Sequence, residues 1–152
     1  AMAVDPHALS ETNEELLERM AFLFLDPAEE DDFDDFDGPM SHARVAFSGE
    51  MQGSLDVYMA DEKAAELAAN MLGEDDADDI GEEERADALR ELANVICGHA
   101  ITVTGGEMVS CEISPPVVQP ADDERVAAAR DSEDIIVFNC DDTPLMVHFV
   151  VQ

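Results

Sequence analysis

Apolar residues recur along this chain at two different spacings, and the switches between them mark out its secondary structure. Within Ser10 to Leu25, the residues Leu16, Met20, Leu23 and Phe24 stand at helical spacing, and Thr12 with Glu15 has the pattern of a capping box, so a first helix is predicted there. Val45, Phe47, Leu55, Val57 and Met59 instead alternate with polar residues on either side of a glycine-containing turn, which predicts a half-buried hairpin. Asp61 is placed to cap a second helix that buries Ala64, Leu67, Ala68 and Met71 and stops at Gly73. A long helix follows from about Glu82 to Val103, ended by Gly105 and Gly106. Val109, Cys111 and Ile113 alternate again, and Pro115 and Pro116 belong at a sheet edge or beyond the strand, since neither can donate to a ladder. Ile135 to Cys140 and Leu145 to Val151, joined by DDTP, form a last hairpin. The sum is an α+β layer, a mostly antiparallel sheet with helices packed on one face.

The stretch DALRELANVICG inside the long helix separates two chemistries. At about 100° per residue, Asp87, Glu91, Asn94 and Gly98 fall within roughly a 60° sector, while Leu89, Leu92, Ala93, Ile96 and Ala100 cluster on the opposite side. Glu91 and Asn94, three positions apart, become surface neighbours that point toward whatever docks there, and Gly98 lets a partner approach the backbone. Periodicity alone also fits a plain amphipathic helix with a solvated side.

A length of 152 residues suits one domain spanning 1–152, and 46% hydrophobic residues suffice for a core; no internal repeat is present. The net charge of −31, from 38 acidic and 7 basic residues, argues against nucleic acid and against an anionic membrane surface, both of which would be repelled. Much of that charge sits in two runs, near 26–38 and 74–84, expected to be mobile acidic loops. A calcium loop in DDFDDFDG fails, because Phe36 interrupts the ligand positions and no glutamate closes it. His7, His42, His99 and His148 show no zinc spacing, so no metal site is expected, and His99 reads as helix surface. Cys97, Cys111 and Cys140, odd in number and set in apolar segments, are expected to be reduced, buried thiols. No signal core or membrane-length apolar run occurs, which points to a soluble, cytoplasmic protein.

The spacing of an acid, three residues, Glu, two residues and Asn, with a proline some twenty residues later, resembles the signature of the CheC/CheX/FliY phosphatases of bacterial and archaeal chemotaxis, here Asp87, Glu91, Asn94 and Pro115 or Pro116. ELLERMAFLFL, FSGEMQGSLDVYM, AAELAANML, the motif helix, SPPVV and LMVHFVVQ also follow in the order of the CheX-like branch. The proline spacing is a residue or two short, and the single ExxN motif favours CheX over CheC, whose members usually carry two. The resemblance implies a phosphatase acting on the aspartyl phosphate of a CheY-like response regulator. Asn94 would orient the attacking water and Glu91 would anchor the regulator's lysine, with no cofactor of the chain's own and the divalent cation (Mg) supplied by the regulator. Asp87 would either widen the contact or favour the helix amino-terminal half through the dipole. The family also implies a homodimer, for which the apolar carboxyl-terminal strands offer a shared sheet. Two other functions stay open: a receiver-binding module of the same fold without catalysis, and an acidic decoy for a basic nucleic-acid site, which rests on charge alone.

Overall fold

The computed structural model describes residues 2–3, 25–27, 38–73, 80–106, 109–131, 135–140 and 143–152. Strands β1 (Met2–Ala3), β2 (Leu25–Pro27), β3 (Met40–Gly49) and β4 (Gly53–Ala60) precede helices α1 (Asp61–Leu72) and α2 (Glu82–Gly105). Then come β5 (Cys111–Ile113), β6 (Val117–Ala121), a short helix α3 (Asp123–Arg130), β7 (Ile135–Cys140) and β8 (Thr143–Val151). The sheet runs β2-β7-β8-β4-β3-β5, with β6 farther along the free edge of β3 and β1 at the end of β8. Every pairing is antiparallel. The α+β fold class read from the pattern is the one observed.

Register turns the alternation into a core. Val57 lies opposite Ala43 and Val147, and Leu55 opposite Val45 and Phe149, so the odd-numbered residues of β3, β4 and β8 share one face. That face is buried under Ala64, Leu67 and Ala68 of α1 and Leu89, Leu92, Ala93, Ile96 and Ala100 of α2. Phe47 and Phe149 stack within it at 5.3 Å. The β4–β8 contact is close enough to demand glycine at one point: a Cβ on Gly53 would lie 2.0 Å from the Val150 carbonyl oxygen. Gly73 ends α1 in the left-handed conformation, φ 73°.

Several details differ from the pattern. The expected first helix lies outside the described residues, apart from Leu25, which opens β2. Asp61 does not cap α1. Ala60 holds that position and Asp61 is the first helical residue, its Oδ1 accepting from Ser41 Oγ at 2.7 Å and its backbone N–H donating to Pro39. Met71 shares the buried side of α1 by angle yet is 40% exposed, because nothing among the described residues covers the last turn; Ala69 is buried instead. The acidic run expected as a loop near 74–84 gives its last three residues to α2, where Glu82, Glu83 and Glu84 favour the positive end of the helix dipole. Asp26 and Pro27, at the start of the other run, pair with Asn139 and Phe138. β8 begins at Thr143, and Val109 lies outside β5. Both edges of β8 are occupied, by β4 on one side and by β7 and β1 on the other.

The opposite face of the sheet is covered too, by α3, which the pattern did not foresee. Val126 and Ala129 pack on Met40, Tyr58 and Met146. Asp122 accepts from the Arg125 N–H at 2.7 Å and caps the helix. The Arg125 guanidinium, which can only donate, meets His42 Nδ1 at 3.1 Å, so the ring carries its proton on Nε2 and donates it to Asp56 Oδ1 at 2.7 Å. His42, 1% exposed, stacks on Tyr58 with centroids 4.5 Å apart. Burial and then the Asp56 carboxylate push the Tyr58 hydroxyl above its ordinary range, against Arg125 and Arg44. Arg44 lies 3.6 Å from Asp56 and leaves that buried carboxylate part of its compensation if the imidazole is removed. His42→Leu therefore destabilises the fold by about 3 kcal/mol in urea unfolding, and His42→Gln by less. Unfolding midpoints equal to wild type for both would show that the network is energetically idle.

Candidate functional site

Helix α2 is anchored before it is functional. Glu84 Oε1 accepts from the Gly81 N–H at 3.3 Å at its start, and along its length Leu89, Leu92, Ala93, Ile96, Cys97 and Ala100 are fully buried. Asp87, Glu91 and Asn94 are exposed on the other side and Gly98 is half-buried, so all four residues singled out by spacing lie along one outward strip. Among the described residues, no hydrogen bond or ion pair occupies the Glu91 carboxylate or the Asn94 carboxamide. Asp87 is engaged, its Oδ1 meeting Arg90 Nη1 one turn on. The sequence pattern did not single out Arg90.

Gly98 has open space above it: a Cβ there would meet no atom within 4 Å. Its carbonyl accepts from Thr102 Oγ1 at 3.0 Å. The strip thus offers a carboxylate and a carboxamide one turn apart, with bare backbone a further turn on. A carboxamide both donates and accepts, whereas an ionised carboxylate only accepts, so the pair is suited to holding a cation at one point and a polarised molecule such as water at the next.

The linker after α2 is fixed to the sheet. The Ser114 N–H donates to Ala46 O at 2.8 Å, and the Ala46 N–H donates to Ser114 Oγ at 3.0 Å. Pro115 and Pro116 therefore lie beside β3 between β5 and β6, at the edge where prolines belong. Beneath the strip, burial and then Cys111 push the Cys97 thiol up to about 12. Cys111 is half-buried rather than buried, and the Cys140 side chain lies outside the described residues. Among the described residues, no three His, Cys, Asp or Glu groups converge to hold a metal ion, and no helix is long and apolar enough to cross a membrane.

A family model described as chemotaxis phosphatase CheX matches residues 41–140. Among solved structures, CheX from Vibrio vulnificus is similar with a TM-score of 0.67 and 20% identity, over 96% of this chain and 95% of that one. The CheX–CheY–BeF3–Mg2+ complex from Borrelia burgdorferi gives 0.66 and 19% over 98% and 99% of the two chains. A CheC-like superfamily protein from Shewanella sp. PV-4 gives 0.63 and 19% over 99% of each. No curated protein matches. At these identities the solved structures establish a shared fold.

Two outcomes follow from the packing alone. Gly98→Ala adds a methyl group into open space in mid-helix and stabilises the isolated chain by about 0.5–1 kcal/mol in urea unfolding. A loss of stability would mean that the position is not open. Cys97 stays protonated in the folded chain to about 12 while an ordinary thiol ionises near 9.0, so its contribution to stability falls as pH rises between those values. Iodoacetamide at about pH 8 then labels Cys97 only on unfolding, and rapid labelling of the native chain would contradict its burial.

Proposed function

The chain belongs to the family of the chemotaxis phosphatase CheX, and from that membership we propose that it binds a phosphorylated CheY-like receiver and accelerates hydrolysis of its aspartyl phosphate. The observation that carries this is the unoccupied pair on α2, with Glu91 and Asn94 exposed one turn apart on a helix whose other side is buried. The likeness to a relative solved with CheY, BeF3 and Mg2+ supports a receiver as the partner; in this reading the divalent cation is supplied by the receiver.

Glu91 grips the receiver's lysine through a charge-assisted hydrogen bond and so fixes the helix over the phosphorylation site. Asn94, held in register by that contact, accepts a hydrogen bond from water through Oδ1 while its NH2 donates toward a phosphoryl oxygen. Phosphoryl transfer needs positioning and charge matching more than covalent help, so one well-placed carboxamide suffices. It also adds no negative charge beside an anionic centre. Gly98 admits the receiver's surface close to the helix backbone. The working form is a homodimer with one site per chain, which light scattering tests. Because β8 has no free edge, any shared sheet involves other strands.

The charge of −31 favours one second function: a receiver-binding module that alters the phosphate's lifetime or localisation without catalysing hydrolysis, since approach to an acidic pocket is opposed. Loss of label from a phosphorylated receiver decides between them. Asn94→Ala is expected to cut the acceleration by about 100-fold or more while retaining binding. Glu91→Ala is expected to weaken binding about tenfold and lower the rate with it, and Gly98→Ala to weaken binding despite its sounder helix. Equal dephosphorylation by wild type and Asn94→Ala would rule out the proposed catalysis, and tight binding without hydrolysis would establish the module.

A further inference from the structure

Helix α2 carries two arginines that stand differently around its axis. At about 100° per residue, Arg85 lies roughly 180° from Asn94, whereas Arg90, four residues before it, lies about 40° away and is its neighbour on the next turn. Arg90 is turned toward Asp87, its side chain 41% exposed and that of Asp87 68%. An exposed pair at this spacing adds little stability, so its consequence lies in where it holds the cation. Glu91 is adjacent in sequence but faces about 100° away from Arg90, so the guanidinium does not mask it. Among the described residues, other basic groups are engaged elsewhere, among them Lys63 with Glu66, Arg44 with Asp56 and Arg125 with His42.

We infer that Asp87 is a tether, holding the Arg90 guanidinium beside Asn94, where it offsets the negative charge of the acidic, phosphorylated surface on which the chain docks. The inference rests on the proposed receiver partner. Its physical need is plain: a chain with 38 acidic and only 7 basic residues has to approach a pocket of carboxylates and phosphoryl oxygens. Repulsion between the two bodies acts over a Debye length of about 8–10 Å, and a cation inside that distance of the phosphoryl group counters it where it is strongest. Asp87 thus acts on the partner through Arg90, because its own carboxylate is already occupied. Arg90 is a docking and positioning residue, and its effect belongs in KM rather than in the chemical step.

The test uses the full chain and a CheY-like receiver phosphorylated with acetyl phosphate, at low and high salt. Arg90→Met is expected to raise KM about five- to tenfold at low salt with kcat changed less than about twofold, and the deficit to shrink as salt is added. The double exchange Asp87→Arg with Arg90→Asp keeps the ion pair and the net charge but moves the cation away from Asn94 and puts a carboxylate next to it. It is expected to raise KM at least as much as Arg90→Met, and Asp87→Asn, which only loosens the guanidinium, to raise it less. A double exchange that behaves as wild type would assign the pair to helix stability and overturn the tether, as would a salt-independent deficit in Arg90→Met. Should wild type bind the receiver without hydrolysing it, the proposed catalysis fails, and the same ranking in binding affinity supports the tether while equal affinities overturn it. Absence of any receiver binding would overturn both.

Discussion

The rotational setting of α2 on the sheet is the constraint from which the rest of the site follows. Leu89, Leu92 and Ile96 are fully buried against the odd-numbered face of β3, β4 and β8. Turning the helix by one residue, about 100°, would carry those side chains toward water. At about 1.5–3 kcal/mol each the loss is comparable with the whole stability of an ordinary domain. Glu91 and Asn94 have no packing of their own and need none, because the buried side dictates where they point. A site of two unpartnered polar groups is in this sense a by-product of a well-filled core, and its precision is the core's precision.

Wherever burial follows a local period, the structure was legible in the sequence. Alternation in Val45, Phe47, Leu55 and Val57 marked the central hairpin, and the helical period of Leu89, Leu92 and Ile96 marked both the core side of α2 and, by subtraction, the outward strip. Where burial is imposed by a distant element, it was not. His42 and Asp56 occupy the alternate positions of β3 and β4, which the same period assigns to solvent, yet both are buried, with Arg125 of α3 reaching His42. That helix was itself invisible, since eight residues with Val126 and Ala129 as their half-buried contacts carry too little apolar signal. Asp61 misled for a related reason: its side chain and N–H serve a crossing to Ser41 and Pro39, so the usual capping residue is used as a clasp. The role of the Glu91 and Asn94 pair came from family resemblance, because an outward polar strip has no period that distinguishes a site from a wet surface.

The two faces of the sheet share a backbone while obeying different rules. On one, neighbouring side chains are interchangeable in chemistry and held by area. On the other, Asp56 is surrounded by His42, Arg44 and His148, and each member depends on its neighbours for compensation. Val57 lies between Asp56 and Tyr58, so the strand that carries the polar network also presents the floor on which α2 rests. Loss of the network would reach the site through strand position rather than through any contact with it.

Charge gives the last step. In a chain where one residue in four is acidic, an exposed helical position is most simply filled by another carboxylate, which solvates well and does no harm to the helix. Position 94 carries a carboxamide instead, and a carboxylate lies on the turn before it at position 91. Solubility does not account for the difference, since either residue would serve it. The proposed function would account for it, because it calls for a group that donates and accepts beside concentrated negative charge, next to a group that must be negative to hold a cation. That is the division of labour required to place water against an aspartyl phosphate whose own protein brings the lysine and the metal. The neutrality of Asn94 is therefore a stronger pointer to function than the acidity surrounding it.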